Sequence, residues 1–241
     1  MAGQTGGMSS AQAAVAARIP GAAALGLLLP TGAAVVPATA LADPGWTAQV
    51  LDARTPRHRP VDRRVVATVW WYSASSVLVT PPLAGLVTGI PLSARLADLT
   101  VALLPGYAPM AAVARGSGSP ELAADLRTSL AAVIAVVSEA GGVRERPLWA
   151  LAADSVANQL LALGRATGDV AAATACARPL AEAVGAPLPL PRYEDVGGAR
   201  FTRRASCCLL YRLPGGALCT SCPRRPPEER RELLEQLARR W

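Results

Sequence analysis

The sequence contains no lysine, one histidine and one phenylalanine, and aromatic residues make up only 4% of its 241 positions. Apolar residues nevertheless reach 51%, so a core must be built largely from alanine, valine and leucine. All 24 basic side chains are arginines. Because the absence of lysine accompanies an excess of alanine, we attribute it to the drift of a GC-rich genome and give arginine richness alone no functional weight.

Motifs of nucleotide and acid–base chemistry are also missing. Neither a G-x-G-x-x-G nor a Walker pattern occurs, which argues against a nicotinamide or nucleotide bound in a Rossmann domain. The only histidine, His58, lies in a polar connector and is interpreted as a solvated side chain. No aromatic residues interleave the C-terminal arginines, so we expect no nucleic-acid partner.

Charge is distributed unevenly. The net charge is +7, and residues 197–241 alone hold ten arginines against four glutamates. Such a basic tail suits an acidic protein partner or peripheral contact with the inner surface of a membrane. Solvated charge around a metal site is the alternative, and the sequence leaves these interpretations open.

The chain is predicted to be mainly α with a small β component, an α+β protein with a helical body. We expect a loosely structured, Ala/Pro-rich segment over 1–60, a mostly helical body over 61–196, and a cysteine-rich loop with a short terminal helix over 197–241. The uncharged run 19–42 resembles a secretory signal. Because prolines and glycines interrupt it and free thiolates oxidise during export, we expect a cytoplasmic protein.

Capping and breaking residues predict the individual elements. Asp62 is expected to cap a helix that ends at Pro81 and Pro82, and the residues around "PGY" (105–107) are expected to form a β-hairpin. Further helices are predicted from Ser119-Pro120-Glu121 to 141–142, from Pro147 to Gly164, and from Asp169 to Gly185 with a kink or division at Pro179. Residues 187–198 read as a linker. The last helix is amphipathic, with Leu233, Leu234, Leu237 and Trp241 along one side.

Four of the five cysteines fall between residues 206 and 225 as an adjacent pair, Cys207 and Cys208, and a C-x-x-C, Cys219 and Cys222. Disulfides here would close only short loops and would therefore remove little entropy from the unfolded chain, and a bond between the neighbours Cys207 and Cys208 would be strained. A zinc site favours two chelating pairs with two to four residues between ligands, which the adjacent pair does not provide. The two irons of a [2Fe–2S] cluster lie at separate positions, so the two cysteine pairs need not chelate a single tetrahedral ion. The turn "LPGG" between the pairs folds the chain back. Geometry favours the cluster and leaves zinc open.

The stretch "RRASCCLLYRLPGGALCTSCP", a C-C-x10-C-x2-C pattern, resembles the signature of the FhuF-like ferric-siderophore reductases. "RVVATVWWYSASSVLVTPPLAGLVTG" and "RERPLWALAADSVANQLLALGRATGD" resemble, more loosely, helical segments of the actinobacterial branch of that family. The likeness covers roughly residues 61 to 227, and only the cysteine pattern is highly specific.

The resemblance implies a cytoplasmic protein that holds a [2Fe–2S] cluster through Cys207, Cys208, Cys219 and Cys222. It implies one-electron reduction of a ferric siderophore with an electron from a donor protein such as a ferredoxin or flavodoxin. Arg203, Arg204 and Arg212 flank the ligands and are candidates for tuning the cluster, holding an anionic siderophore or docking an acidic donor. A non-catalytic protein with structural zinc and a helical interaction body is the alternative.

Three further features are interpreted as structural. Cys176, in an Ala-rich helix, is expected to be a small buried thiol. Trp70, Trp71 and Tyr72 are expected in the core or at an interface, with stacking on an aromatic siderophore as the alternative. Asp154 and Asn158, one helical turn apart on an apolar helix, indicate either a pocket lining or a helix–helix hydrogen bond, and we favour the second.

Overall fold

The computed structural model describes residues 8–55, 61–116 and 118–240, and helices dominate it. The predicted α+β class with a helical body is confirmed. The helices are α1 (Ser10–Arg18), α2 (Pro44–Arg54), α3 (Arg63–Thr88), α4 (Leu122–Gly141), α5 (Glu145–Thr167), α6 (Val170–Ala175), α7 (Ala177–Val184) and α8 (Pro227–Ala238). The strands are β1 (Ala34–Pro37), β2 (Leu99–Leu104), β3 (Ala108–Ala114), β4 (Tyr193–Val196) and β5 (Ala199–Thr202).

The central helix α3 begins at its predicted cap, because the Asp62 carboxylate accepts the backbone N–H of Arg64 at 2.9 Å. Its predicted end at Pro81 and Pro82 is wrong, since the helix continues to Thr88. A proline inside a helix costs about 3 kcal/mol or more. Burying one large aliphatic side chain contributes about 1.5–3 kcal/mol, and several such side chains are buried around the prolines. Tertiary packing therefore outweighs the local preference.

The predicted hairpin is confirmed: β2 and β3 pair antiparallel, with Leu99 opposite Ala114. At its tip, Tyr107 has a positive φ of 59°, and its carbonyl accepts the indole N–H of Trp70 in α3 at 3.1 Å. This bond ties the hairpin to the central helix. The sequence did not reveal the third strand, β1, which pairs antiparallel with β2.

The described part of the first sixty residues is more ordered than the loose segment that we expected. It contributes α1, α2 and β1, and Val15 and Leu27 are fully buried. The amide of Gln12 donates to the carbonyl of Leu27 at 2.9 Å and accepts the N–H of Ala114 at 3.0 Å. The buried amide of Gln12 thus joins α1 to β3, and local composition could not predict such a long-range hydrogen bond. The division of the chain at residues 60 and 196 stays a prediction.

The later helices are all present, but several of their predicted ends are wrong. Helix α4 begins at Leu122, and Ser119 does not cap it. Helix α4 ends at Gly141 and is capped by Gly142, whose φ of 61° is left-handed, and the Asp169 carboxylate accepts the N–H of Ala172 at the start of α6. The break between α6 and α7 falls at Cys176, which places Pro179 in the first turn of α7 where its missing N–H has little cost. Helix α5 does not end at Gly164. A Cβ there would lie 2.8 Å from the Cα of Val170, so this glycine permits close packing of α6.

The predicted linker 187–198 is partly wrong, because its last residues form β4 and the turn to β5. Gly197 and Gly198 both take positive φ, as a tight hairpin turn requires. Helix α8 covers this hairpin, and Val196, Phe201 and Leu234 form a second small core. Leu233 and Leu237 are half-buried, while Trp241 lies outside the described residues.

No helix among residues 8–55, 61–116 and 118–240 combines the length and apolar character needed to cross a membrane.

Candidate iron–sulfur site

The cysteine segment, defined as residues 203–226, leaves β5 and folds back on itself before reaching α8. A short 3₁₀ turn over Leu210–Arg212 precedes the predicted glycine turn, where Gly215 has a φ of 75°. A Cβ on Gly216 would lie 2.0 Å from the carbonyl oxygen of Leu210, so only glycine fits this close approach. The "LPGG" stretch therefore folds the chain back between the two cysteine pairs, as predicted.

The four motif cysteines are free thiols that lie together as two pairs. The sulfurs of Cys207 and Cys222 are 3.8 Å apart. Cys208 and Cys219 are joined through Arg204, whose Nη1 lies 3.7 Å from the Cys208 sulfur and 3.4 Å from the Cys219 sulfur. Each pair combines one cysteine of the adjacent Cys207-Cys208 with one of the C-x-x-C, because the turn brings these two parts of the motif side by side.

Each pair combines one buried and one half-buried cysteine. Cys208 and Cys222 are buried, with exposed fractions of 5% and 1%. Cys207 and Cys219 are half-buried. Among the residues that the structure describes, no three His, Cys, Asp or Glu side chains are grouped to hold one metal ion.

Arg204 is the charged centre of the site, and its side chain is only 3% exposed. Its guanidinium lies 4.7 Å from the centroid of the Tyr72 ring in α3, a cation–π contact. Within the described chain, its Nη2 is buried without a hydrogen-bond partner. A buried guanidinium that has a spare N–H donor and lies beside the Cys208 and Cys219 sulfurs suits a further acceptor group at this position.

Asp154 of α5 attaches the cysteine segment to the helical body. Its carboxylate accepts the backbone N–H groups of Ala205 at 2.7 Å and Ser206 at 3.1 Å. It also accepts the Nε–H of Arg204 at 3.4 Å, and its side chain is 4% exposed. The preferred interpretation of Asp154 as a helix–helix hydrogen bond is therefore wrong, because this side chain bonds a loop instead of a helix.

Burial sets the electrostatics of this pair. Burial raises the pKa of Asp154, although the two backbone N–H groups and Arg204 oppose that rise. Burial alone would lower the pKa of Arg204, but Tyr72, Cys208 and Asp154 outweigh it and leave the pKa above its ordinary value. The raised pKa of Arg204 favours its charged form, whereas the raised pKa of Asp154 disfavours its ionised form. We describe Asp154 as ionised because every bonded group at its oxygens is an N–H donor, and Arg204 as charged.

Asn158, which the sequence paired with Asp154 on α5, forms the helix–helix hydrogen bond that was predicted. The amide of Asn158 in α5 donates to the hydroxyl of Tyr72 in α3 at 3.4 Å, a helix–helix hydrogen bond. Trp70 and Trp71 are fully buried, which confirms their place in the core. Tyr72 lies half-buried under Arg204, and burial raises its pKa.

Arg225 supports the C-x-x-C loop from its other side, a role that the sequence did not reveal. Its guanidinium donates to the carbonyls of Leu218 at 2.7 Å and Cys219 at 2.9 Å. It also pairs with Glu229 of α8, which links the loop to the terminal helix.

Two cavities flank the cysteine segment. The larger cleft, of about 600 Å³, is lined by residues that include Arg64, Arg144, Cys207 and Arg224. The smaller cavity, of about 270 Å³, is mostly polar. Its lining consists of Arg192, Arg203, Arg204, Ala205, Ser221, Pro223 and Arg230.

The structure separates the three arginines that the sequence placed together around the ligands. Arg204 is buried beside Cys208 and Cys219, whereas Arg203 and Arg212 are exposed. Arg203 lines the smaller cavity. Cys176 is half-buried where α6 meets α7, so it is less enclosed than expected. His58 lies outside the described residues.

Four thiols in two pairs, one of them against a buried arginine, define this region as a candidate iron–sulfur centre in a mainly helical protein. Residues 204–224 match the family model of the FhuF 2Fe-2S C-terminal domain, a span that begins at Arg204 and includes all four motif cysteines. The match confirms the resemblance to the FhuF-like family and points to a [2Fe–2S] cluster as cofactor. The assignment to the actinobacterial branch stays a prediction. No curated protein and no solved structure matches the chain.

Proposed function

We propose that this protein reduces ferric siderophores by one-electron transfer, with Cys207, Cys208, Cys219 and Cys222 as the ligands of a [2Fe–2S] cluster. The observation that carries the proposal is the arrangement of the four motif cysteines in two pairs, one of which, Cys208 and Cys219, lies against the buried guanidinium of Arg204. The family match over the same residues supports it.

The residues present fit the cluster. Four thiolates are the common ligand set of [2Fe–2S] centres. Such a centre is anionic, and the buried charge of Arg204 offsets negative charge at this position. The Nη2 group without a partner is available to a sulfur acceptor, and hydrogen bonds to sulfur tune reduction potentials.

The reaction requires one electron for each iron released. A reduced one-electron donor protein of the ferredoxin or flavodoxin class would supply this electron, and Cys207, Cys208, Cys219 and Cys222 would hold the cluster that relays it to the ferric chelate. The electron converts Fe(III) in the siderophore to Fe(II). Hard oxygen ligands hold Fe(II) more weakly, so the metal leaves the chelator. No side chain has to transfer a proton in this step.

On charge complementarity we assign the docking of the donor protein to the smaller cavity. Arg192 and Arg203 line it, and the ion pair of Arg230 with Glu194 is long, at 3.9 Å. An acidic surface on the donor fits this basic rim, and Arg212 extends the basic surface of the segment. We place the reaction in the cytoplasm, where reduced donors of this class and free thiolates persist.

Anaerobic single-turnover reduction tests the proposal. The protein is reduced with dithionite, freed of excess reductant by desalting, and mixed with ferric hydroxamate, catecholate or carboxylate chelates and a ferrous indicator. We expect the visible absorption of the oxidised cluster to return as one Fe(II) forms per cluster. A reduced cluster that persists with every chelate would contradict reductase activity and leave an electron carrier.

A further inference from the structure

The larger cleft concentrates positive charge beside one thiol pair. Arg64 lies in the first turn of α3, Arg144 immediately precedes α5, and Arg224 follows the last cysteine of the motif. All three are exposed, and none forms an ion pair within the described chain. Among the described residues, no acidic side chain lines the cleft. Three separate segments of the chain therefore bring unneutralised charge to one place.

The remaining lining is apolar or small, and it includes Val143, Pro147 and Leu209. The volume of about 600 Å³ falls within the range of about 300–1,000 Å³ that is typical of small-molecule sites. The smaller cavity, at about 270 Å³, falls below this range. Of the two cavities, only the larger cleft suits a small-molecule ligand with both charged and apolar parts.

Cys207 forms part of the wall of the larger cleft and is one of the two half-buried motif thiols. A ligand in this cleft lies directly against a member of the Cys207–Cys222 pair. The cleft therefore offers a short path between a bound molecule and the sulfur centre.

We infer that the larger cleft is the binding site of an anionic ferric chelate, whose oxygens contact Arg64, Arg144 and Arg224 while its apolar parts pack on Val143 and Leu209. This inference rests on the proposed reductase function and adds a substrate class to it. Chelates that carry net negative charge, such as tris-catecholates, bind more tightly than neutral trihydroxamates. Guanidinium groups suit this ligand because they donate two parallel hydrogen bonds to paired oxygens.

Binding of redox-inert gallium(III) complexes tests the site without reduction. Equilibrium dialysis of the cluster-loaded protein with a trianionic gallium tris-catecholate or a neutral gallium trihydroxamate gives both affinities. The test variant is Arg64→Gln/Arg144→Gln. The matched control is Arg115→Gln/Arg178→Gln, which removes equal charge from two exposed arginines outside the cleft. Visible absorption and circular dichroism confirm that every variant is folded and loaded.

We expect the test variant to bind the trianion about tenfold more weakly or worse, as loss of charged hydrogen bonds predicts, and to bind the neutral complex unchanged. The control should match the wild type. Equal trianion binding by the test variant, in a protein that still reduces ferric chelates, would overturn the cleft assignment alone. A wild-type protein that binds neither gallium complex and reduces no ferric chelate would overturn both this inference and the proposed function.

Discussion

The helical body and the cysteine segment are held together by different forces. The body packs around fully buried apolar side chains such as Trp71, Leu130 and Leu148, and the indole N–H of Trp71 bonds the Leu148 carbonyl at 2.8 Å. The cysteine segment has little regular structure and few buried apolar residues. It depends on Asp154 and Arg204, a buried charged pair.

This difference has an energetic consequence. Apolar packing spreads its contribution over many side chains, so the loss of one is costly but local. A buried charged pair concentrates its contribution, because removing one partner leaves the other charge without compensation. The body should therefore tolerate single changes better than the attachment of the segment does.

The largest expected difference between the two regions is in how cysteine substitutions affect retention of the cluster. Cys207→Ser and Cys222→Ser should each abolish cluster retention, since each removes one of four proposed thiolate ligands, whereas Cys176→Ser in the body should retain it. Iron and sulfide analysis of anaerobically purified variants measures this. Equal iron content in all three would contradict the ligand assignment.

Asp154→Asn should detach the segment from the body. The substitution removes the charge that compensates Arg204 and places an amide opposite two backbone donors. Breaking such a pair costs about 3–5 kcal/mol. We expect most of the cluster to be lost, while far-UV circular dichroism of the helical body is preserved.

Asn158→Ala is the matched control, one turn along the same helix. It loses only the 3.4 Å bond to Tyr72 and should keep its cluster. Full cluster loading in Asp154→Asn would show that the carboxylate does not hold the segment.

Leu130→Ala should give the opposite pattern. Truncating this buried leucine of α4 leaves a cavity in the body and costs about 2–5 kcal/mol of unfolding free energy. Chemical denaturation followed by circular dichroism measures the loss, and the folded protein should still carry a full cluster. Cluster loss from the folded state would mean that the two regions are not energetically separate.

The smallest effect concerns Asp98, a half-buried charge of the body. Asp98 accepts the hydroxyl of Ser93 at 2.7 Å and the Nε–H of Arg95 at 2.9 Å, and the Ser93 bond is the main cause of its lowered pKa. A lowered folded pKa adds stability above the unfolded pKa, and this stability is lost as pH falls through the folded pKa.

Ser93→Ala should raise the pKa of Asp98 and flatten this acid loss, by no more than about 1 kcal/mol because solvent screens the carboxylate. Denaturation of the apoprotein at neutral and acidic pH measures the difference. In an Asp98→Asn background, Ser93→Ala should leave the pH dependence unchanged. An acid loss as steep in Ser93→Ala as in the wild type would contradict the assigned bond.

Local signals predicted much of this molecule. Asp62, Asp169 and Gly142 mark helix ends by short-range hydrogen bonds and backbone angles, so one sequence window contains the necessary information. The glycine turn of the cysteine segment was predictable for the same reason. Pro81 and Pro82 gave a wrong prediction for the end of α3, because packing against distant segments decides whether a helix tolerates a proline.

The site was only half predictable. The cysteine spacing was enough to propose the ligand set, since all four residues lie in one short stretch. The partner of Arg204 lies 50 residues away in Asp154, and the arginines of the larger cleft come from three separate segments. A polar residue on an apolar helix was the only signal for Asp154, and it did not specify a loop as the partner.

The anaerobic visible and EPR spectrum of the purified protein tests the central claim most directly. We predict a brown protein whose visible absorption bleaches with dithionite and whose reduced form gives the EPR signal of a one-electron-reduced [2Fe–2S] cluster. A colourless protein that carries stoichiometric zinc after anaerobic preparation would contradict it.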